Sequence, residues 1–170
     1  MVTKYPVLDP NFPLAMIGAC EDDVERGLVR ILLTGMHISN VVSLTEKNII
    51  REGPNVYLTW GRVKTGKQLR AWVRGKNELA DMRAFITRKR RKTIRWYQRL
   101  VKIIGERAGY ENISPMTFRH SRCVQLLKEH DYNVPLVAQL MGCSQNVIIR
   151  NYAQLADMQL MNVVTKVEEL

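Results

Sequence analysis

Cysteine is sparse in this 170-residue chain: Cys20, Cys123 and Cys143 are all it has. They are odd in number, far apart and form no CxxC pair, which excludes a disulfide framework and points to a reducing, intracellular setting. With only 6 Pro and 10 Gly, collagen-like and low-complexity classes are also excluded. A content of 46% hydrophobic and 25% charged residues argues against wholesale disorder. No apolar run approaches the roughly 20 residues that a membrane span needs. Residues Met1 to Pro13 carry Lys4 but no apolar stretch behind it, so no secretory signal is expected. The length matches about one ordinary domain with a genuine core.

Acidic residues are scarce in one region. Between Arg62 and Arg107 there are 16 Lys or Arg against Glu78, Asp81 and Glu106, a local charge of +13 within a net +10. The remaining chain is therefore at −3. A basic middle in a near-neutral frame is an electrostatic footprint, and nucleic acid is its commonest partner. The densest run is Arg88-Lys89-Arg90-Arg91-Lys92, followed by Arg95, Arg99 and Lys102 at helical spacing. Taken alone, that run also reads as a solvated basic helix with a tight turn.

Glu21-Asp22-Asp23 marks a helix start, with carboxylates placed well on the dipole. Val24, Leu28, Ile31 and Leu32 give that helix an apolar face ending near Thr34-Gly35, and a short helix is predicted from Ile38 to Leu44. Val56 to Trp60 and Leu69 to Val73 alternate and carry β-branched and aromatic residues, so they read as a hairpin around Lys64-Thr65-Gly66-Lys67. Ile49-Ile50 could add a third strand. From Lys76 the pattern is helical, through Leu79, Met82, Phe85 and Ile86, then Ile94, Tyr97, Val101 and Ile104. Ser114-Pro115 suits the start of a helix carrying Phe118, Val124 and Leu127. Two short helices, Val134 to Met141 and Gln145 to Tyr152, precede a tail helix to Leu170. The expected fold is mostly α with a small antiparallel β-sheet (α+β), in one domain over 1–170.

Three motifs compete. Gly61 to Lys67 fits seven positions of a phosphate-binding loop, but the eighth is Gln68 instead of Ser or Thr, and a strand follows where a helix should. Val137 to Ser144, with Gly142 at the turn, resembles the centre of a helix-turn-helix whose second helix could enter a major groove. A third reading uses more of the chain. Leu33-Thr34-Gly35-Met36-His37-Ile38-Ser39-Asn40 resembles the first signature box of the tyrosine recombinases, the phage-integrase family. Thr117-Phe118-Arg119-His120-Ser121-Arg122 resembles the core of the second box, and Gly142-Cys143-Ser144 with Tyr152 resembles the closing segment. The resemblance spans about Glu21 to Leu155.

That resemblance implies a catalytic-domain-like fold and a chemistry in which a Tyr hydroxyl attacks a DNA phosphodiester, leaving a 3′-phosphotyrosyl link. Two Arg residues clamp the phosphate oxygens, a hairpin Lys protonates the leaving 5′ oxygen, and His residues assist. By position, Tyr152 would be the nucleophile, Arg119 the second arginine and Lys64 the hairpin lysine, with Lys67 as its fallback. Four positions depart from the pattern. His37 stands at the first arginine, Asn40 at the acid after it, Met116 at the histidine before Arg119, and Cys143 at the His or Trp of the third box. Losing one preorganised donor typically costs about 10²–10³ in rate, and losing a positioned acid or base roughly 10²–10⁴. Imidazole is shorter than guanidinium and lacks its fork. The implied function is therefore duplex-DNA binding with weak or lost strand cleavage. The alternatives are an active, divergent recombinase working through Tyr152, and a helix-turn-helix regulator.

The DNA-binding set would comprise Lys67, Arg88, Lys89, Arg90, Arg91, Lys92 and Arg122, with no metal or cofactor and no membrane. The expected location is cytoplasmic or nucleoid-associated. Nothing before Glu21 is long enough for the N-terminal clamp domain that full recombinases carry. Met158 to Leu170 is apolar enough to pack on a neighbouring subunit, giving a homo-oligomer, or to fold back as an intramolecular helix. Each site residue also has a plain structural reading. In that reading Tyr152 caps an apolar patch with Leu155, Arg119 ion-pairs, His120 braces its helix, and Lys64 and Lys67 are solvated. Cys143 would be a small packed residue, and Trp60 and Trp72 core residues.

Overall fold

A computed structural model describes residues 6–61, 68–88 and 90–152. The elements run α1 (Phe12–Gly18), α2 (Asp23–Leu33), α3 (Ile38–Ser43), β1 (Ile49–Glu52), β2 (Asn55–Gly61), β3 (Gln68–Trp72), α4 (Lys76–Ile86), α5 (Ile94–Arg107), α6 (Pro115–Glu129) and α7 (Val134–Met141). Residues 145–152 are again helical. The chain forms two compact units, Met1–Arg122 and Cys123–Leu170, and their boundary falls inside α6 instead of in a linker. The tail predicted to be helical lies outside the described residues.

In the first unit α2 starts as its acids predict. Asp22 caps it by accepting from the Glu25 N–H at 2.7 Å, and Gly35, at φ 86°, supplies the positive φ that ends it. Leu28, Ile31 and Leu32 are fully buried. The helix packs against α4 without room for a side chain at Gly27, where a Cβ would stand 2.0 Å from the Asp81 carbonyl oxygen. The Asp81 carboxylate then joins the pair, taking Arg26 at 3.2 Å and Arg30 at 2.7 Å. A buried carboxylate needs such partners.

The sheet is antiparallel in the order β1-β2-β3. Trp60 pairs with Leu69, and Leu58 with Ala71, on the face that holds the core. Strand residues alternate faces, so Trp72, opposite Tyr57, stands on the other side and is 57% exposed. Trp60 is core as expected. Trp72 is not, because it lies an odd number of residues from Leu69. β3 begins at Gln68, and the absence of a helix there removes the phosphate-loop reading.

Arg88 and Arg90 to Lys92, the described residues of the basic run, are not part of a helix. α4 ends at Ile86, and α5 starts at Ile94 after Thr93, whose hydroxyl accepts from the Trp96 N–H at 3.2 Å. Tyr97, Val101 and Ile104 then face the core. Phe118 on α6 closes that core through Phe12, with ring centroids 5.2 Å apart.

In the second unit, Val137, Ala138 and Met141 are the buried side of α7, and Ile148 is buried in the helical stretch after it. Gly142, at φ 62°, takes the left-handed turn, and the Cys143 N–H returns to the Ala138 carbonyl at 2.9 Å. Asn133 caps α7 by accepting from the Leu136 N–H at 3.1 Å. Two short helices with a tight glycine turn are thus present as the spacing predicted.

Candidate functional site

Box one lies where α2 gives way to α3. Because Gly35 adopts a left-handed conformation, the chain reverses there and its carbonyl becomes available to a neighbour. Arg119, one turn into α6, donates to that carbonyl from Nη1 at 2.5 Å. A residue of box two is thereby held by the main chain of box one, 84 positions away. The helix that presents Arg119 begins at Pro115, and the Ser114 N–H before it is satisfied by the Thr117 hydroxyl at 3.1 Å.

A recess of about 100 Å³ opens beside this contact. Met36, His37 and Ile38 line it from box one, Met116 and Arg119 from box two, and Gln98 from α5. His37 is exposed at the first position before α3, and its side chain does not cap that helix. Met116 is 44% exposed, and Arg119 is half-buried. With Ser114 also in its lining, the recess offers one guanidinium, one imidazole, one amide, one hydroxyl and two thioethers. Gln98 was missed from sequence, where it is one polar residue on the outer side of a basic helix.

His120 sits next to Arg119 and is half-buried. Burial lowers its pKa below the usual 6.5, and the Arg119 charge lowers it further. It is therefore a neutral imidazole near pH 7, suited to bracing or hydrogen bonding and not to donating positive charge. Of the three free thiols, Cys20 is pushed up to about 12 by burial and by Glu25, so it stays protonated. Among the described residues no group of His, Cys, Asp and Glu side chains gathers as metal ligands would.

Tyr152 and Cys143 belong to the second unit. Tyr152 is buried at 8% exposure, and Cys143 is half-buried in the turn after α7. Lys64, Lys67 and Lys89 lie outside the described residues. In the basic connection Arg90 and Lys92 are exposed, whereas Arg88 is half-buried. Its Nε donates to the Tyr97 hydroxyl and its Nη1 to the Phe85 carbonyl. Arg91 sends Nη2 to the Leu44 carbonyl at 3.2 Å. Arg122 is half-buried, and Arg95, Arg99 and Lys102 are exposed along α5. The run that looks uniform in sequence thus divides into cations bound to the fold and cations open to solvent.

No family model matches the sequence, and no curated protein is significantly similar to it. Solved structures are similar in fold. XerA recombinase superposes with a TM-score of 0.72 at 17% identity, covering 97% of this chain and 63% of that one. XerH site-specific recombinase bound to a palindromic difH substrate, a post-cleavage complex, gives 0.76 at 17% identity, covering 98% and 54%. XerH in a pre-cleavage complex with its difH substrate gives 0.69 at 16%, covering 93% and 53%. This chain therefore spans between about half and two thirds of the length of those structures. Its fold is that of a tyrosine-recombinase catalytic domain. No helix among the described residues is long and apolar enough to cross a membrane.

Proposed function

We propose that this chain, built on a tyrosine-recombinase catalytic-domain fold, binds duplex DNA and has weak or lost strand-cleavage activity. The observation that carries the reading is the recess around Arg119, in which the only guanidinium already gives one N–H to the Gly35 carbonyl. A pentacoordinate phosphate gathers negative charge and needs several fixed donors. His37 would supply charge only when protonated, and Met116 can transfer no proton. A single arginine suits holding a phosphate better than driving its displacement. The likeness to a recombinase described as bound to its difH substrate supports duplex DNA as the partner.

In this reading Arg119 and Arg122 meet the backbone from α6, Lys64 and Lys67 from the hairpin, and Lys89, Arg90, Arg91 and Lys92 from the connection before α5. Arg88 adds charge from behind them. Tyr152 keeps the nucleophile position, and Met158 to Leu170 is the segment through which copies would associate.

The test uses nicked, labelled duplexes drawn from the source genome, run on native and denaturing gels beside Tyr152→Phe. A retarded native band without a covalent adduct is expected. An adduct that disappears in Tyr152→Phe would replace this reading with an active recombinase whose site includes His37, Met116 and Cys143. No retardation at low salt would overturn the DNA reading.

The glycine turn between α7 and residues 145–152 favours a second reading, a helix-turn-helix regulator. Gln145 and Asn146 are exposed at the start of that second helix. Loss of site preference in Gln145→Ala and Asn146→Ala, with Tyr152→Phe harmless, would favour it.

A further inference from the structure

The most exposed aromatic ring among the described residues is that of Trp72, at 57%, on the outer face of the sheet. β3, which carries it, is an edge strand, and Trp72 sits opposite Tyr57 on β2. The ladder continues one residue further, since the Val73 N–H donates to the Val56 carbonyl at 2.9 Å. Strand residues alternate faces, so Arg70 and Arg74 flank Trp72 on its own side, each about 6.8 Å along the strand. The Arg70 guanidinium lies over the Tyr57 ring, 4.7 Å from its centroid, and that of Arg74 lies 5.9 Å from the Trp72 centroid. Cation, indole and cation thus stand in a row beside a second ring.

The two guanidiniums differ in what holds them. Arg70 pairs with Glu52 at 3.2 Å, and both side chains are exposed. Such a pair is weak and is screened by salt. Among the described residues Arg74 has no ion pair. Its main-chain N–H is held by the Glu78 carboxylate at 2.8 Å. Glu52 and Glu78 offset part of the charge locally, but both arginines belong to the segment 62–107 with its net +13. A segment so charged draws a polyanion. An indole adds a requirement that phosphate alone does not meet, a planar partner with a free face. A duplex keeps its bases stacked on one another, and an acidic peptide has none. A single strand offers both phosphates and open base faces.

We propose that this face binds a single DNA strand, one base stacked on the Trp72 indole and the neighbouring phosphates on Arg74 and Arg70. Stacking of this kind is tolerant of sequence, because every base has a π-face. The choice of DNA over RNA rests on the duplex reading above, whereas the stacking argument does not.

The full chain is titrated into a labelled oligothymidylate, an abasic strand of equal length and a duplex, each followed by fluorescence anisotropy. Trp72→Thr keeps a β-branched residue on the strand. It should weaken oligothymidylate binding at least about five-fold and leave the abasic strand and the duplex unchanged. Trp72→Phe should restore most of the lost affinity. Arg74→Gln should weaken oligothymidylate and the abasic strand alike, since it removes a phosphate contact. No binding of oligothymidylate, no loss in Trp72→Thr, or an equal loss for the abasic strand would overturn the proposal. Tighter binding of oligouridylate would make RNA the partner instead, and equal competition by polyglutamate would make it an acidic peptide. The duplex titrations run alongside, so failure of the single-strand reading is seen separately from failure of the duplex reading.

Discussion

Two arginines in the first unit invite comparison. Arg119 and Arg88 each give Nη1 to a main-chain carbonyl, of Gly35 and Phe85 respectively. Arg119 then faces a recess lined by imidazole, amide and thioether groups, and Arg88 lies on two aromatic rings with one nitrogen buried. In the sequence Arg88 heads the densest basic run, while Arg119 has only Arg122 near it in a polar helix start. Local charge density therefore does not say which cation is available to a partner. A guanidinium is planar and weakly hydrated, so it stacks on rings where an ammonium would stay in water.

The change expected to disturb most is one that reaches both regions. α2 leads into Gly35 and α4 leads into Arg88, and they meet at Gly27. In Gly27→Ala the new Cβ would collide with the Asp81 backbone, which cannot move aside as a side chain would. A loss of about 3–5 kcal/mol is expected in urea unfolding, with both arginine sites loosened. Arg88→Met keeps bulk but removes the donors to Tyr97 and Phe85, and should cost about 2–3 kcal/mol. Arg119→Met should cost less, about 1–2 kcal/mol, since its side chain is half-buried and the Gly35 carbonyl loses a donor. In the DNA reading it should weaken binding more than Arg88→Met does after allowance for unfolded protein. The reverse order would break the comparison.

Arg90→Gln and Lys92→Gln sharpen it from the other side. Both residues are exposed, so each change should stay within about 0.5 kcal/mol in stability. Each should lower the slope of log affinity against log salt by about 0.9 if it contacts a phosphate, measured by filter binding at several salt concentrations. The smallest effect concerns His120. Its folded pKa is depressed, so as pH falls through 6.5 the unfolded chain takes up a proton before the folded chain does. Stability is therefore full above pH 6.5 and declines below it, down to the lower folded value. His120→Gln should flatten that decline in unfolding curves collected from pH 7.5 to 5.

Much of this was legible beforehand. The start of α2, the turn at Gly35, all three strands, the Ser114-Pro115 start and the turn at Gly142 follow from local chemistry: caps, alternation, proline at a first turn and glycine at positive φ. His37, Met116 and Arg119, singled out by their box positions, line one recess. Trp72 was misplaced because face assignment needs the pairing register, which composition does not carry. The interruption between α4 and α5 was missed because a run of Lys and Arg has good helix propensity and hides the cap at Thr93. Gln98 joined the recess through tertiary packing alone, since no spacing links it to either box.

Element types, the basic middle and the residue at each box position can be read along the chain, because caps, periodicity and charge act over a few neighbours. Which of those residues meet follows from the folded packing. Bringing Arg119 to the Gly35 carbonyl, Asp81 between Arg26 and Arg30, and Arg88 onto Phe85 and Tyr97 depends on how close-packed helices settle around residues such as Gly27. That fit is a property of the whole core and is carried by no local segment of the chain.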